Sequence, residues 1–139
     1  MFSASTPPNM QLPEVLETLH LLPNWEERYT FLIELARQLP PMPAADKTAQ
    51  NLVKGCTSQV WLTHSWQGEK LHLHLDSDAL IVKGLLAVIY LAYQGKTKAE
   101  VQTTNLTTLL NNTQLLQHLS PNRRNGLTSV NAHIQALAA

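Results

Sequence analysis

The amino-acid sequence predicts an α+β fold, one small antiparallel sheet packed against several helices in a single domain. Three observations lead there. Apolar residues recur at helical spacing in the first third of the chain and again near its end. Between them, two period-two alternations flank one turn signal, the pattern of a hairpin. Directly after that hairpin, Ala79 to Tyr93 is apolar almost all round, as a buried central helix must be. Helices, a hairpin, then helices again is the order of an α+β chain, not of alternating βαβ units.

The elements follow in order. Pro13 suits a first helical turn, and Val15, Leu16 and Leu19 give a short apolar face reaching about Leu22. Asn24 followed by Glu27 is a capping-box start for a second helix. Its stripe is Trp25, Tyr29, Leu32, Ala36 and Leu39, with Glu26, Glu27, Arg28, Glu34 and Arg37 on the solvent side. Pro40, Pro41 and Pro43 end that helix and open a loop toward Cys56. Gln59 to Trp66 reads as a strand with Val60, Leu62, His64 and Trp66 on one face. Gln67-Gly68 signals the turn, and Leu71, Leu73 and Leu75 form the inward face of the second strand.

Asp76-Ser77-Asp78 supplies N-cap oxygens for the apolar helix, and Gly84 inside that helix implies a closely packed backbone beside it. Gly95 is a C-terminal stop, and Thr97-Lys98-Ala99-Glu100 is a capping box for the next short helix. Short helical pieces follow around Leu106–Asn111 and Gln114–Leu119. Ser120-Pro121 starts the last helix, with Leu127, Val130, Ile134 and Leu137 as its stripe.

Composition narrows the function. A chain of 139 residues fits one domain spanning residues 1–139, with residues 1–10 as a flexible N-terminal segment. Zero formal net charge gives no electrostatic footprint for nucleic acid. One cysteine allows no internal disulfide and no cysteine-rich zinc or iron–sulfur site within the chain. Met1 to Met10 lacks the features of a signal peptide, and the apolar run, broken by Lys83 and Gly84, is too short to cross a bilayer. The expectation is a soluble, cytoplasmic protein without a membrane partner. His72 and His74 share a strand face, yet no carboxylate lies at ligand-like spacing, and no metal is assigned.

Chemistry concentrates at Cys56. Gly55 before it permits positive φ and a sharp turn that presents the thiol at a loop tip. Two readings stay open on these residues alone. A lone cysteine usually behaves as a small buried hydrophobe, whereas Lys54 and a flexible turn favour an accessible thiolate. Arg123 and Arg124 also invite two readings. They stand in the first turn of the last helix, where the macrodipole disfavours cations, so they are either a tolerated solvated pair or an interface feature.

Asn51-Leu52-Val53-Lys54-Gly55-Cys56-Thr57-Ser58-Gln59-Val60-Trp61 closely resembles the cysteine loop of the SufE family of sulfur acceptors. Three further segments look similar, in the family's order. They are Glu34 to Pro41, then Asp76-Ser77-Asp78 running into Ile81-Val82-Lys83-Gly84-Leu85, then Leu119-Ser120-Pro121-Asn122-Arg123 with Gly126-Leu127. The resemblance runs from about Asn24 to the C-terminus.

It implies an α+β domain related to the IscU-type scaffolds. It also implies a carrier that takes sulfur from a pyridoxal-phosphate cysteine desulfurase and passes it to the Suf scaffold complex. Such a protein stimulates its desulfurase and is not a self-sufficient enzyme. Carried over by residue, the acceptor is Cys56, and Gly55, Ser58, Gln59 and Asp78 support its loop. Arg123 is the partner-binding arginine. Arg124 departs from the family's small polar residue and is given no role. Thr57-Ser58-Gln59 favours a SufS-type partner over the one used by the CsdE relatives. The chain itself is expected to bind no cofactor and to hold only a transient persulfide on Cys56, as a monomer or weak homodimer. The alternative is a cysteine-nucleophile hydrolase pairing Cys56 with a histidine.

Overall fold

Helix α1 (Leu12–Leu21) begins where the Gln11 N–H donates to Glu14 Oε1 at 3.0 Å, and it buries Val15 and Leu19. The computed structural model describes residues 11–56 and 58–139, so the expectations for residues 1–10 and for Thr57 lie outside the described residues. Helix α2 (Trp25–Gln38) is capped as expected, Asn24 Oδ1 accepting from the Glu27 N–H at 2.9 Å. Leu32, Leu35, Ala36 and Leu39 are buried, while Trp25 and Tyr29 are half-buried.

One member of the expected solvent face of α2 behaves differently. The Arg28 guanidinium lies 4.5 Å from the Trp25 ring and donates to the Leu22, Thr113 and His20 carbonyls. Its planar fork finds more partners over the indole than in water.

After the prolines come two short 3-10 turns, Ala44–Asp46 and Ala49–Asn51. Strands β1 (Val60–Gln67) and β2 (Lys70–Ser77) form an antiparallel hairpin with Val60 opposite Ser77 and Gln67 opposite Lys70. Gly68 and Glu69 make its two-residue loop, Gly68 at φ +62° as a tight hairpin turn requires. Val60, Leu62, Leu71, Leu73 and Leu75 are buried on the inner face. His64, on the same face of β1, is exposed. Helix α3 packs chiefly on β2, so the far half of β1 extends beyond the core.

Helix α3 (Leu80–Tyr93) is enclosed by α2, β2 and α7. A Cβ on Gly84 would sit 2.3 Å from the Leu32 carbonyl oxygen, so the backbones of α2 and α3 touch there. Asp76-Ser77-Asp78 does not cap α3 as expected. The N-cap is Ala79, without a side-chain capping bond: the carboxylates are engaged by Lys47, Lys83 and the Gln59 N–H, and Ser77 Oγ reaches only the N–H of Ala79 itself. Gly95, at φ +78°, ends the helix and pairs back to β2, its N–H donating to the Leu71 carbonyl at 2.9 Å.

Helix α4 (Lys98–Thr103) starts at the expected capping box, Thr97 Oγ1 accepting from the Glu100 N–H and Glu100 Oε1 from the Thr97 N–H. Helices α5 (Leu106–Leu110) and α6 (Leu115–His118) are short, and α7 (Pro121–Leu137) is capped by Ser120 Oγ. Leu127, Val130 and Ile134 of α7 are buried, and Leu137 is half-buried. Buried Tyr93 donates to Asn131 Oδ1 and accepts from Gln135 Nε2, joining the end of α3 to α7.

Gly84→Ala separates two opposing effects. Helix propensity favours alanine by about 1 kcal/mol, but the new methyl group meets backbone, which cannot rotate away. The expected net result is a loss of about 1–3 kcal/mol, read by urea denaturation; a stabilised variant would refute the contact.

Candidate functional site

The cysteine loop leaves and re-enters the fold through one backbone clasp. The Val53 N–H donates to the Val60 carbonyl at 2.8 Å, and Leu52 bridges Trp61. Between them Gly55 takes φ +90°, where a side chain would be strained and would also meet Ser129 Oγ of α7 at 2.5 Å. The loop is thereby laid against α7. Cys56 follows, half-buried, its Sγ 3.6 Å from the Gly126 carbonyl oxygen, to which the thiol donates.

Gly126 packs against the cysteine. A Cβ there would stand 3.5 Å from Cys56 Sγ, an ordinary van der Waals distance. A cavity of about 30 Å³ adjoins the thiol. Its walls are Val60 from β1, Val82, Leu85 and Leu86 from α3, and Leu127 and Val130 from α7. Ser58, Asn122 and Arg123 add polar atoms to the lining. That volume holds about one water-sized atom, and its walls offer such an atom mostly hydrocarbon.

Burial alone pushes the Cys56 thiol above the ordinary cysteine range. Of the two readings left open for this thiol, the half-buried one has desolvation on its side, while Lys54 is exposed. In this position Cys56 is a half-buried thiol whose ionised form is disfavoured by desolvation.

The other end of the loop is tied at Gln59. Its N–H donates to Asp78 Oδ1 at 3.1 Å, and its carbonyl accepts from Ser77 Oγ at 2.7 Å. Asp76, only 3% exposed, stands behind this tie. Its carboxylate pairs with Lys47 at 2.8 Å and Lys83 at 3.3 Å and accepts from the Ser77 N–H at 2.8 Å. Burial raises the Asp76 carboxyl, but Lys47, the Ser77 N–H and Lys83 outweigh it and hold the group below the usual carboxylate range.

The structure thus brings together Cys56, Ser58 and Arg123 at the cavity, sets Gly55 against Ser129 of α7, and pairs Gln59 with Asp78 at the foot of the loop. Arg123 is exposed in the first turn of α7. Arg124 turns away toward α6, its Nη1 3.5 Å from the Leu116 carbonyl. Gly126 and Ser77 stood within the quoted motifs, but sequence reasoning missed the contact of Gly126 with Cys56, the bond of Ser77 to Gln59 and the Lys47–Asp76–Lys83 cluster. Asp76 and Lys47 are too far apart in sequence to suggest a pair.

Among the described residues no histidine lines the cavity. His118 stacks on Trp25 with ring centroids 3.8 Å apart. Among the described residues no three His, Cys, Asp or Glu side chains are grouped to hold a metal ion. No helix among the described residues is long and apolar enough to cross a membrane.

Residues 13–138 match the family model described as "SufE: Fe-S metabolism associated domain". An uncharacterized SufE-like protein of Rhizobium meliloti (strain 1021) is 36% identical over 131 residues, covering 91% of this chain and 94% of that protein. In three dimensions the chain is similar to the solution structure of a hypothetical protein from Thermus thermophilus. The TM-score is 0.73 at 23% identity, over 91% of this chain and 92% of the other, which establishes the shared fold.

The raised Cys56 thiol has a measurable consequence. Alkylation by iodoacetamide, followed against pH, should show a midpoint above that of the same chain in denaturant, because thiolate forms later in the closed loop. Coincident midpoints would show that the sulfur is already solvated.

Proposed function

The chain belongs to the SufE family, and on that premise we propose that it is a sulfur acceptor and carrier working through Cys56. The observation that carries this reading is the one thiol of the chain lying beside an apolar cavity with room for about one more atom. A carrier of reactive sulfur needs such an arrangement, since a persulfide exposed to water is open to oxidation and to stray thiols.

The donor is a pyridoxal-phosphate cysteine desulfurase of the SufS type, and the cofactor belongs to that partner. With the loop displaced, the Cys56 thiolate attacks the terminal sulfur of the donor's cysteine persulfide. The new Cys56 S–S bond forms as the donor's S–S bond breaks, and the donor cysteine leaves as a thiolate. The proton on the transferred sulfur travels with it, so no oxidant or reductant is consumed. Clearing the donor's persulfide frees the desulfurase for another turnover, which is how a carrier stimulates it. Return of the loop places the second sulfur beside Val82, Leu86 and Leu127. A thiol of the Suf scaffold complex then receives it by the same exchange.

The other members of the site take supporting roles. Gly55 permits the turn and the contact with α7, while Ser58 and Gln59 shape the loop that Asp78 restrains. Arg123, beside the cavity and exposed, is available to a carboxylate of the desulfurase. A cysteine hydrolase would need a base within hydrogen-bond reach of the sulfur, and the Cys56 thiol instead donates to a main-chain carbonyl.

Two outcomes test the assignment. Cys56→Ser should fold normally yet acquire no sulfur from a desulfurase supplied with cysteine, whereas the unchanged chain gains the mass of one sulfur in a mass spectrum. A serine variant that still gained sulfur and stimulated turnover would exclude Cys56 as the acceptor. Arg123→Ala should keep or slightly raise thermal stability, because a cation leaves the positive end of a helix dipole. Its affinity for the desulfurase should fall, by about 2–5 kcal/mol if the arginine pairs with a buried carboxylate and by much less at a rim. Lost stability with normal binding would make Arg123 a structural residue.

A further inference from the structure

The two feet of the cysteine loop are held by different means. At Val53 and Val60 the hold is main chain to main chain, the Val53 N–H donating to the Val60 carbonyl at 2.8 Å. One residue earlier, at Gln59, the ladder between β1 and β2 has run out. The Asp78 N–H reaches the Gln59 carbonyl only at 3.4 Å, and the Gln59 N–H turns to the Asp78 carboxylate. The short bond at this foot comes from a side chain, Ser77 Oγ to the Gln59 carbonyl at 2.7 Å.

That hydroxyl is directed by its surroundings. Ser77 Oγ accepts from the Ala79 N–H at 3.2 Å, and its hydrogen points to the Gln59 carbonyl, which can only accept. The Ser77 backbone is fixed in turn, its N–H donating to Asp76 Oδ1 at 2.8 Å. Asp76 is itself anchored by Lys47, from the lead-in to the loop, and by Lys83, from the helix that walls the cavity. Asp78 and Gln59 are exposed, so water competes for the bond between them. Ser77 is 9% exposed, and water does not readily replace its hydroxyl.

We propose that Ser77 is a positioning residue for Cys56: its hydroxyl, aimed by Asp76, latches the Gln59 foot of the loop, and release of the sulfur begins when that bond breaks. The latch keeps the loop closed in the free carrier, and a docking partner must overcome it before the thiol can react. A partner that binds only the open loop sees its affinity reduced by the fraction of molecules that are open. Weakening the latch therefore tightens apparent binding, while truncating a contact residue would loosen it.

This role rests on the sulfur-acceptor reading for its purpose, but its test needs no sulfur donor. Ser77→Ala, Ser77→Thr and Val15→Ala are compared with the unchanged chain for the rate of Cys56 alkylation by iodoacetamide under native conditions. Val15, fully buried in α1, controls for general loss of stability. Ser77→Ala should react about two- to tenfold faster, the population change that one lost hydrogen bond produces. Ser77→Thr, which retains the hydroxyl, should return to the original rate, and Val15→Ala should stay there. A Ser77→Ala rate equal to the original, a threonine variant as fast as alanine, or equal acceleration in Val15→Ala would each overturn the latch. With a desulfurase present, Ser77→Ala should reach half-maximal stimulation at about two- to tenfold lower concentration. An unchanged or higher half-maximal concentration would also count against it. If the unchanged chain took up no sulfur at all, the acceptor reading would fail, while the alkylation comparison would still decide the latch.

Discussion

A helix that is apolar on every side has to be enclosed, and the enclosure of α3 dictates most of what surrounds it. Gly84 lets α2 approach until backbone meets backbone, the leucines of β2 cover another side, and α7 closes over the rest. Between α3 and the first half of α7 lies the cavity beside Cys56, walled on the α3 side by Val82, Leu85 and Leu86. The shelter for the sulfur is therefore an unfilled portion of the core, lined by residues that also hold the domain together. Its apolar character follows from that origin.

Opposed to this apolar shelter is a polar attachment at the foot of the loop. Burial disfavours the thiolate, so the resting position favours the thiol over its reactive form. On the function proposed above, the loop opens before the thiol reacts. It is held by a few hydrogen bonds at Gln59 and by Gly55 and Cys56 resting against Ser129 and Gly126 of α7. Such bonds are individually worth about 0.5–1.5 kcal/mol, within reach of what a docking protein supplies.

Periodicity in the sequence found the long elements well, because α2, α3, α7 and the hairpin are shaped by burial, which leaves a regular trace. The caps at Asn24, Thr97 and Ser120 were legible for the same local reason: each bond spans three residues. Asp76-Ser77-Asp78 misled for a physical cause. Short polar side chains before a helix are ordinarily drawn to its free N–H groups, but here Lys47, Lys83 and the Gln59 N–H take up the carboxylates, and Ser77 Oγ accepts from the Ala79 N–H, just short of the helix. Cys56 and Gly55 stood out in the sequence. Nothing local could reveal that their resting surface is Gly126 and Ser129, since that pairing depends on where the chain has travelled in between.

The contact between Cys56 and Gly126 spans 70 residues of chain. On the ribosome, the cysteine therefore emerges long before the helix that will cover it. Pairings so distant in sequence form late, and until α7 arrives the cavity has an open side. A growing chain thus passes through an interval in which its thiol is bare to small oxidants and electrophiles, although the hairpin beside it can already have formed. Damage suffered then would be enclosed when α7 docks, leaving a well-folded molecule with a modified thiol. For this architecture, the timing of C-terminal docking is part of how the reactive residue reaches the mature protein intact.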